Sequence, residues 1–299
     1  MDSSGKAGAG RFLRENVPVA VRTFRRKIAS ATLAILQAYY DFRYDFIVYP
    51  VLEPKKRSYK SAIFSRMTPW VGTSGFQYPE WRGTFYPEKF PPGKMLPFYA
   101  KRFSTTEINY TFYRIPNAKT IGSWDSLTPE QFRFGLKAPQ KVTHIAKLRN
   151  CEELLDIFQR VVSGLGSKLG PVLFQLPPNF KKDAALLNEF LNSVPSGIRV
   201  AFEFRHSSWF DDEIFAHLQN HNAALCIAES SDLATPSITT TDFGYLRLRR
   251  EDYGKADIVR WARFIEAQKE RWSHAFVYFK HEESGIGPQL AAQLIEELK

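Results

Sequence analysis

A carboxylate, a guanidinium and an imidazole follow one predicted strand at the point where the strand ends. The segment Ile198–Trp209 begins as an apolar run and then delivers Glu203, Arg205 and His206, just before a helix is predicted from Asp211. The carboxyl end of a buried strand is where α/β proteins carry functional groups. These side chains could transfer protons and hold an anion. Side-chain alternation puts Glu203 and Arg205 on one face of the strand, so we expect Arg205 or Lys137 to hold the Glu203 carboxylate. The competing interpretation is an ion pair that only fixes the loop after the strand.

Polar side chains also follow the other predicted strands. So many polar groups are costly in a dry core, so we expect them to face a wet cleft or one another. The predicted catalytic residues are Glu203, Glu107 and His206. The predicted ligand-binding residues are Ser74, Asn109, Lys137, Gln175, Arg205, Arg247 and Lys280.

Cations stand at four of these strand ends and favour a small anionic ligand. They are Lys137, Arg205, Arg247 and Lys280. Together they could hold a phosphate or carboxylate, with Glu203 or Glu107 as general base, as in a hydrolase or an isomerase. A non-catalytic ligand-binding or adaptor protein would need the cations but no group with a shifted pKa.

Two other chemistries use the carboxylates differently. A metal-dependent phosphoesterase could use Glu107, Glu203, His206 and His281 as ligands, but no histidine pair has ligand spacing. Glu107 and Glu203 could also form a glycosidase pair. The segment Val71–Gly75 has the spacing of neither a phosphate loop nor a dinucleotide fingerprint. We therefore predict no metal and no cofactor.

Eight strand–helix units position these residues. Apolar runs with turn signals predict the strands, and apolar residues at helical period predict the helices between them. This alternation is typical of a (β/α)8 TIM-type barrel in a single domain over residues 67–299, with a doubly wound open sheet as the alternative. The predicted strands are 70–74, 104–109, 132–138, 171–176, 198–204, 223–228, 245–248 and 275–279. The stretch 230–242 contains Pro and several Thr, which predicts a loop instead of a full helix.

Composition and charge exclude several classes of protein. The 299 residues are 44% hydrophobic and 24% charged, as in ordinary soluble domains. Two cysteines are too few for a disulfide framework, and no apolar run reaches membrane-spanning length, which together favour a cytoplasmic location. The net charge is +10, but residues 67–299 carry only 28 Lys and Arg against 26 Asp and Glu. The barrel segment thus has no strong nucleic-acid signal.

Residues 1–66 form a segment of different composition. They hold 13 Lys and Arg against 5 Asp and Glu, with a Gly/Ala/Ser-rich start and a basic amphipathic stretch. We interpret them as a basic extension, partly helical or disordered, that could contact an acidic surface. The other interpretation is a mis-assigned start, with translation beginning at Met67. Oligomeric state is left open by the sequence.

Five segments resemble the YecE-like family, the domain of unknown function number seventy-two. They are Gly72–Trp81, Glu107–Tyr113, Lys137–His144, Leu173–Phe180 and Glu203–Trp209, in the family's order. The resemblance covers the chain from about Trp70 onward and implies a TIM-type barrel with no established activity. The segments Tyr245–Arg250 and Phe276–His281 differ from the family's commoner pattern, so the resemblance says less about the last two strands.

The change of composition at Met67 predicts that residues 1–66 are dispensable for folding. A chain beginning at Met67 is expected to stay soluble and to melt as cooperatively as the full chain. Calorimetry on both chains measures this. A loss of several degrees in Tm, corresponding to about 1 kcal/mol or more for a chain of this length, would show that the extension packs on the barrel.

Overall fold

Eight parallel strands close into a barrel. The computed structural model describes residues 67–229, 233–281 and 285–299, so the predicted extension at 1–66 lies outside the described residues. The strands are β1 (Thr68–Ser74), β2 (Thr105–Ile108), β3 (Arg133–Lys137), β4 (Leu169–Gln175), β5 (Val200–Glu203), β6 (Ala224–Glu229), β7 (Phe243–Leu248) and β8 (His274–Phe279). Each pairs with the next, and β8 pairs with β1. The predicted barrel is confirmed, and the open sheet is wrong.

Helices follow most of the strands. They are α1 (Met95–Ala100), α2 (Tyr110–Tyr113), α3 (Ala118–Ser126), α4 (Glu152–Val162), α5 (Ala184–Ser193), α6 (Asp212–Asn220), α7 (Lys255–Ala267) and α8 (Ile286–Glu297). The predicted N-cap of α5 is confirmed, because Oδ1 of Asp183 accepts the backbone N–H of Leu186 at 3.1 Å. Residues 233–242 contain no helix, as their Pro and Thr content predicts. No helix among the described residues is long and apolar enough to cross a membrane.

The alternation of side chains along each strand separates two cores. On β5, Ala201 and Glu203 point into the barrel, whereas Phe202 packs in the outer core between strands and helices. The outer core is rich in aromatic rings, and Phe204 stacks on Trp209 with ring centroids 4.8 Å apart. The Nε1 of Trp209 donates to the carbonyl of Phe180 at 2.6 Å, which fixes the loop after β5.

The barrel interior changes character from its N-terminal to its C-terminal end. At the N-terminal end, Trp70 stacks on Phe276 at 6.3 Å, and Phe243 packs against the same ring. Strand β6 contributes only small inward side chains to the buried interior. They are Ala224, Cys226 and Ala228. This leaves room at the C-terminal end for long polar side chains from the other strands.

Both cysteines are buried and free. Burial raises the pKa of the Cys151 thiol to about 11, and the carboxylate of Glu152 adds to the shift. The pKa of Cys226 also lies well above its ordinary value because of burial and the nearby charge of Glu203. Neither thiol is therefore poised as a nucleophile near neutral pH.

Close approach of β1 to β2 requires a glycine at position 72. A Cβ on Gly72 would overlap the carbonyl oxygen of Thr105 and lie 2.8 Å from the hydroxyl of Tyr99. Gly72→Ala is therefore expected to destabilise the barrel by about 1–3 kcal/mol. Gly122→Ala is the control, since Gly122 lies exposed in α3 with no atom near the added methyl, and it should stabilise by about 0.5–1 kcal/mol. Equal unfolding free energies for the two variants would contradict this interpretation.

Candidate functional site

A buried arginine joins two carboxylates across the C-terminal half of the barrel. Nη2 of Arg247, on β7, donates to Oε1 of Glu107 on β2 at 2.9 Å. Nη1 of the same residue donates to Oε2 of Glu203 on β5 at 2.5 Å. Both carboxylate side chains are fully buried, and the Arg247 side chain is 2% exposed. One guanidinium therefore neutralises charge from two distant strands in a dry interior.

The other lone pairs of Glu107 are also occupied. The hydroxyl of Tyr245 donates to Oε2 at 2.6 Å, and Oγ of Ser74 donates to Oε1 at 2.5 Å. The Ser74 hydroxyl is itself held by Nδ2 of Asn109 at 3.0 Å. Ser74 and Glu107 are register partners on β1 and β2, so the sheet places this pair directly. Glu107 is a fully satisfied, structurally fixed carboxylate.

Glu203 is surrounded by cations. Nη2 of Arg249 lies 3.2 Å and Nη1 of Arg205 3.5 Å from its Oε1, and Nε2 of Gln175 donates to the same oxygen at 2.9 Å. Burial alone would raise the pKa of Glu203, but the positive charges of Arg247, Arg249 and Arg205 outweigh it and lower the pKa to about 2. Glu203 is therefore ionised near neutral pH. A general acid needs the opposite shift.

Exposure increases from this network toward the mouth of the barrel. The side chain of Arg249 is 12% exposed and that of Arg205 28% exposed, compared with 2% for Arg247. Lys137, at the end of β3, is half-buried, and its Nζ lies 4.0 Å from the ring centroid of Phe112. The mouth is therefore lined by cations that solvent or a ligand can reach.

The pKa of Lys137 is lowered to about 8. Burial is the largest cause, and the charge of Arg247 adds to it, while Glu107 and Glu203 act in the opposite direction. His144 packs edge-on against the same Phe112 ring, with ring centroids 5.0 Å apart. Burial and the charges of Lys137 and Arg205 also lower the pKa of His144. The Lys137 amine and the His144 imidazole, both with lowered pKa values, therefore contact the same aromatic ring.

Most of the predicted site residues meet, and two lie apart from the network. Those in the network or beside it are Ser74, Glu107, Asn109, Lys137, Gln175, Glu203, Arg205 and Arg247. Nδ1 of His206 instead accepts the backbone N–H of Ser208 at 3.1 Å, which caps a short 3₁₀ turn at Ser207–Trp209. Lys280 is exposed after β8, near enough to contribute to the pKa shift of Lys137. The catalytic role of His206 stays a prediction.

The sequence interpretation missed two members of the network and the closest contact of Glu203. It expected Arg205 or Lys137 to hold Glu203. Arg205 does pair with Glu203, at 3.5 Å, but Arg247 makes a shorter contact, at 2.5 Å. Tyr245 and Arg249 were not among the predicted residues. The period-two alternation of β7 was the signal available, since it puts both side chains on the same face as Arg247.

The described residues contain no metal-ligand cluster, and the aromatic loop after β1 offers no stacking surface at the mouth. Among the described residues, no group of three or more His, Cys, Asp and Glu side chains could hold a metal ion. The aromatic loop after β1 is not a platform at the mouth, because Trp81 and Tyr86 are buried and stack at 6.2 Å. Phe85 packs edge-on against Phe98 of α1 in the same outer cluster.

Because Glu203 is buried among arginines, we predict that neutralising its carboxylate lowers the unfolding free energy strongly. Glu203→Gln removes the charge that compensates three arginines and is expected to cost about 3–5 kcal/mol in unfolding free energy. Glu213→Gln is the control, because Glu213 pairs with Lys182 at 2.8 Å but its side chain is 58% exposed. That change should cost less than about 1 kcal/mol. Denaturant unfolding measures both, and similar small losses would contradict a structural role for Glu203.

The low pKa of Glu203 makes the stability difference between wild type and Glu203→Gln depend on pH. Its pKa of about 2 lies below the ordinary 4.5, so ionised Glu203 stabilises the fold fully above about pH 4.5. This contribution is lost as pH falls through 4.5 toward 2. The stability difference between wild type and Glu203→Gln should therefore shrink over that window and not at alkaline pH.

Comparisons with known proteins agree with this architecture. The family model described as "Protein of unknown function DUF72" matches residues 70–299. UPF0759 protein YecE of Escherichia coli (strain K12) is 34% identical over 113 residues, 38% of this chain and 42% of that protein. UPF0759 protein YunF of Bacillus subtilis (strain 168) is 32% identical over 140 residues, 44% of this chain and 50% of that protein. The chain thus matches half or less of the length of these curated relatives.

Solved structures show the same fold. A DUF72 family protein from Thermotoga maritima MSB8 has a TM-score of 0.68 at 27% identity, over 77% of this chain and 99% of that chain. A DUF72 family protein from Enterococcus faecalis V583 has a TM-score of 0.65 at 17% identity, over 77% of this chain and 95% of that chain, which concerns the fold alone. The resemblance seen in the sequence is confirmed: the chain belongs to the YecE-like DUF72 family.

Proposed function

We propose that this chain binds a small anionic ligand, bearing a phosphate or a carboxylate, at the C-terminal mouth of the barrel. The observation that carries the proposal is a surplus of positive charge around a network whose carboxylates are already paired. The cations are Lys137, Arg205, Arg247 and Arg249, and the carboxylates are Glu107 and Glu203. A doubly charged anion would balance this surplus.

Unused donors support the same function. Nε of Arg249 is buried and has no acceptor among residues 67–229, 233–281 and 285–299. A buried donor without a partner costs free energy, which an anionic oxygen placed beside it would offset. Arg205 and Arg249 are both partly exposed, so they can exchange water for a ligand without breaking the Arg247 network.

The neighbouring titratable groups decide what kind of anion site this is. A hydrolase or an isomerase needs a proton-transfer group beside the anion, whereas a binding or adaptor protein does not. Lys137 and His144 stand at the mouth with shifted pKa values, which favours the catalytic form. Arginines next to both carboxylates disfavour the metal-dependent phosphoesterase alternative.

Phosphate is expected to raise the Tm of the wild-type protein. A ligand at about one hundred times its Kd adds about 2.7 kcal/mol of stability. For a domain of this size that corresponds to a Tm rise of roughly 5–10 °C. Differential scanning fluorimetry in phosphate, with chloride at the same ionic strength as reference, measures the effect.

Two variants separate site binding from a general salt effect. Arg205→Gln should lose more than half of the phosphate-induced rise, because its side chain lies at the mouth. Arg263→Gln, which changes an exposed arginine in α7, should keep all of it. An equal rise in wild type and Arg205→Gln would contradict the proposal. Stoichiometric zinc, manganese or iron in protein purified without added metal would instead support the phosphoesterase alternative.

A further inference from the structure

The amine of Lys137 has surroundings unlike those of Lys168 and Lys182, two other lysines that are buried or half-buried. Lys168 lies 2.9 Å from a carboxylate oxygen of Asp125, and Lys182 lies 2.8 Å from Asp211. Lys137 makes no ion pair within 4.0 Å among the described residues, and its Nζ instead faces the ring of Phe112. An ammonium without a close counter-ion on an aromatic face can lose its proton without leaving an unpaired carboxylate.

Burial is the main cause of the lowered pKa of this amine. Burial, then Arg247 and also Lys280 lower the pKa of Lys137 to about 8, although Glu107 and Glu203 oppose them. Near neutral pH a much larger fraction of this amine is the free base than of an ordinary lysine. A lysine that is desolvated beside another cation is the usual form of an activated amine nucleophile.

A second group that can carry a proton adjoins the amine. His144 lies in a π-helical turn, Lys141–Ile145, that directs its ring onto the same Phe112 side chain. Its Nδ1 pairs with Oγ1 of Thr143 at 2.8 Å, which fixes the orientation of the ring. Short π-helical turns occur frequently at functional sites. Amine, imidazole and anion-binding arginines therefore surround one opening of the barrel.

We propose that Lys137 is a catalytic nucleophile that forms an imine with a small anionic aldehyde or ketone, an inference that rests on the proposed anion site. The lone pair of Nζ forms a bond to the carbonyl carbon, while the π electrons of the carbonyl move to its oxygen. His144 takes one proton from the nitrogen and delivers it to that oxygen, which gives a carbinolamine. The nitrogen lone pair then forms the C=N bond as the C–O bond breaks, and a second proton, which His144 takes up from solvent, converts the departing hydroxyl into water and leaves a protonated imine. The C=N bond replaces the C=O bond, and no oxidant or reductant is required.

The surrounding charges suit this intermediate. Arg205 and Arg249 stand where they can hold the phosphate or carboxylate of the substrate. The carboxylates of Glu107 and Glu203 act on Lys137 through space, so they stabilise the positive charge of a protonated imine at the same position. An imine in this place would activate the neighbouring C–H or C–C bond of the substrate, as isomerases and carbon–carbon lyases require.

Reductive trapping of the full-length protein tests the inference. The probe is glyoxylate, a small anionic aldehyde, with cyanoborohydride to reduce any imine, followed by peptide mass spectrometry. Lys137 is expected to be alkylated at least about tenfold faster than the exposed Lys280. With formaldehyde, which carries no charge, this preference should fall several-fold, because the arginines no longer hold the probe. Phosphate should protect Lys137 and leave Lys269, an exposed lysine in the turn after α7, unaffected.

Lys137→Arg provides the matched variant, because it retains the positive charge but has no primary amine. It should keep the phosphate-induced rise in Tm and lose the fast alkylation. Alkylation of Lys137 no faster than that of Lys280 would overturn the inference. If phosphate still raises the Tm in that case, the anion site stands and only the imine is wrong. If phosphate has no effect either, the proposed function itself has failed.

Discussion

The guanidinium of Arg247 is the constraint on which the C-terminal half of the barrel depends. It reaches from β7 to Glu107 on β2 and to Glu203 on β5, so one side chain connects three non-adjacent strands. Two ionised carboxylates in a dry interior would each cost several kcal/mol without this partner. The small inward side chains of β6 provide the space that the guanidinium occupies. The Arg247 guanidinium thus both fills the space beside β6 and pairs with the two buried carboxylates.

This network divides the polar residues into a supporting layer and an exposed layer. Glu107, Glu203 and Arg247 are almost completely buried and joined by ion pairs, so they hold the strands at fixed distances. Arg249, Arg205 and Lys137 lie above them with partial access to solvent, and their charge exceeds what remains on the carboxylates. A ligand can exchange with water in the upper layer without disturbing the lower one.

The sequence predicts the barrel well because strand and helix periods are local properties. Alternation places Ala201 and Glu203 inside and Phe202 outside, as the structure shows. It cannot identify contacts across the barrel, since Arg247 and Glu107 lie 140 residues apart and meet only once the sheet has closed. Arg205, two residues from Glu203, was therefore the expected partner, and it pairs with Glu203 at 3.5 Å beside the closer Arg247. The contact between Nδ1 of His206 and the backbone N–H of Ser208 is local, but strand and helix periods carry no signal for such a turn.

The Arg247 guanidinium, which stabilises the barrel, also affects the pKa of Lys137 at the mouth. A buried guanidinium acts over a longer distance than an exposed one, because little water screens its charge. Arg247 therefore opposes the protonation of Lys137 even though its own charge is paired with carboxylates. Those carboxylates act in the opposite direction, and burial remains the largest cause of the lowered pKa of about 8. An amine at this value can both attack a carbonyl and be reprotonated near neutral pH, so burial and the supporting layer together set the reactivity of Lys137.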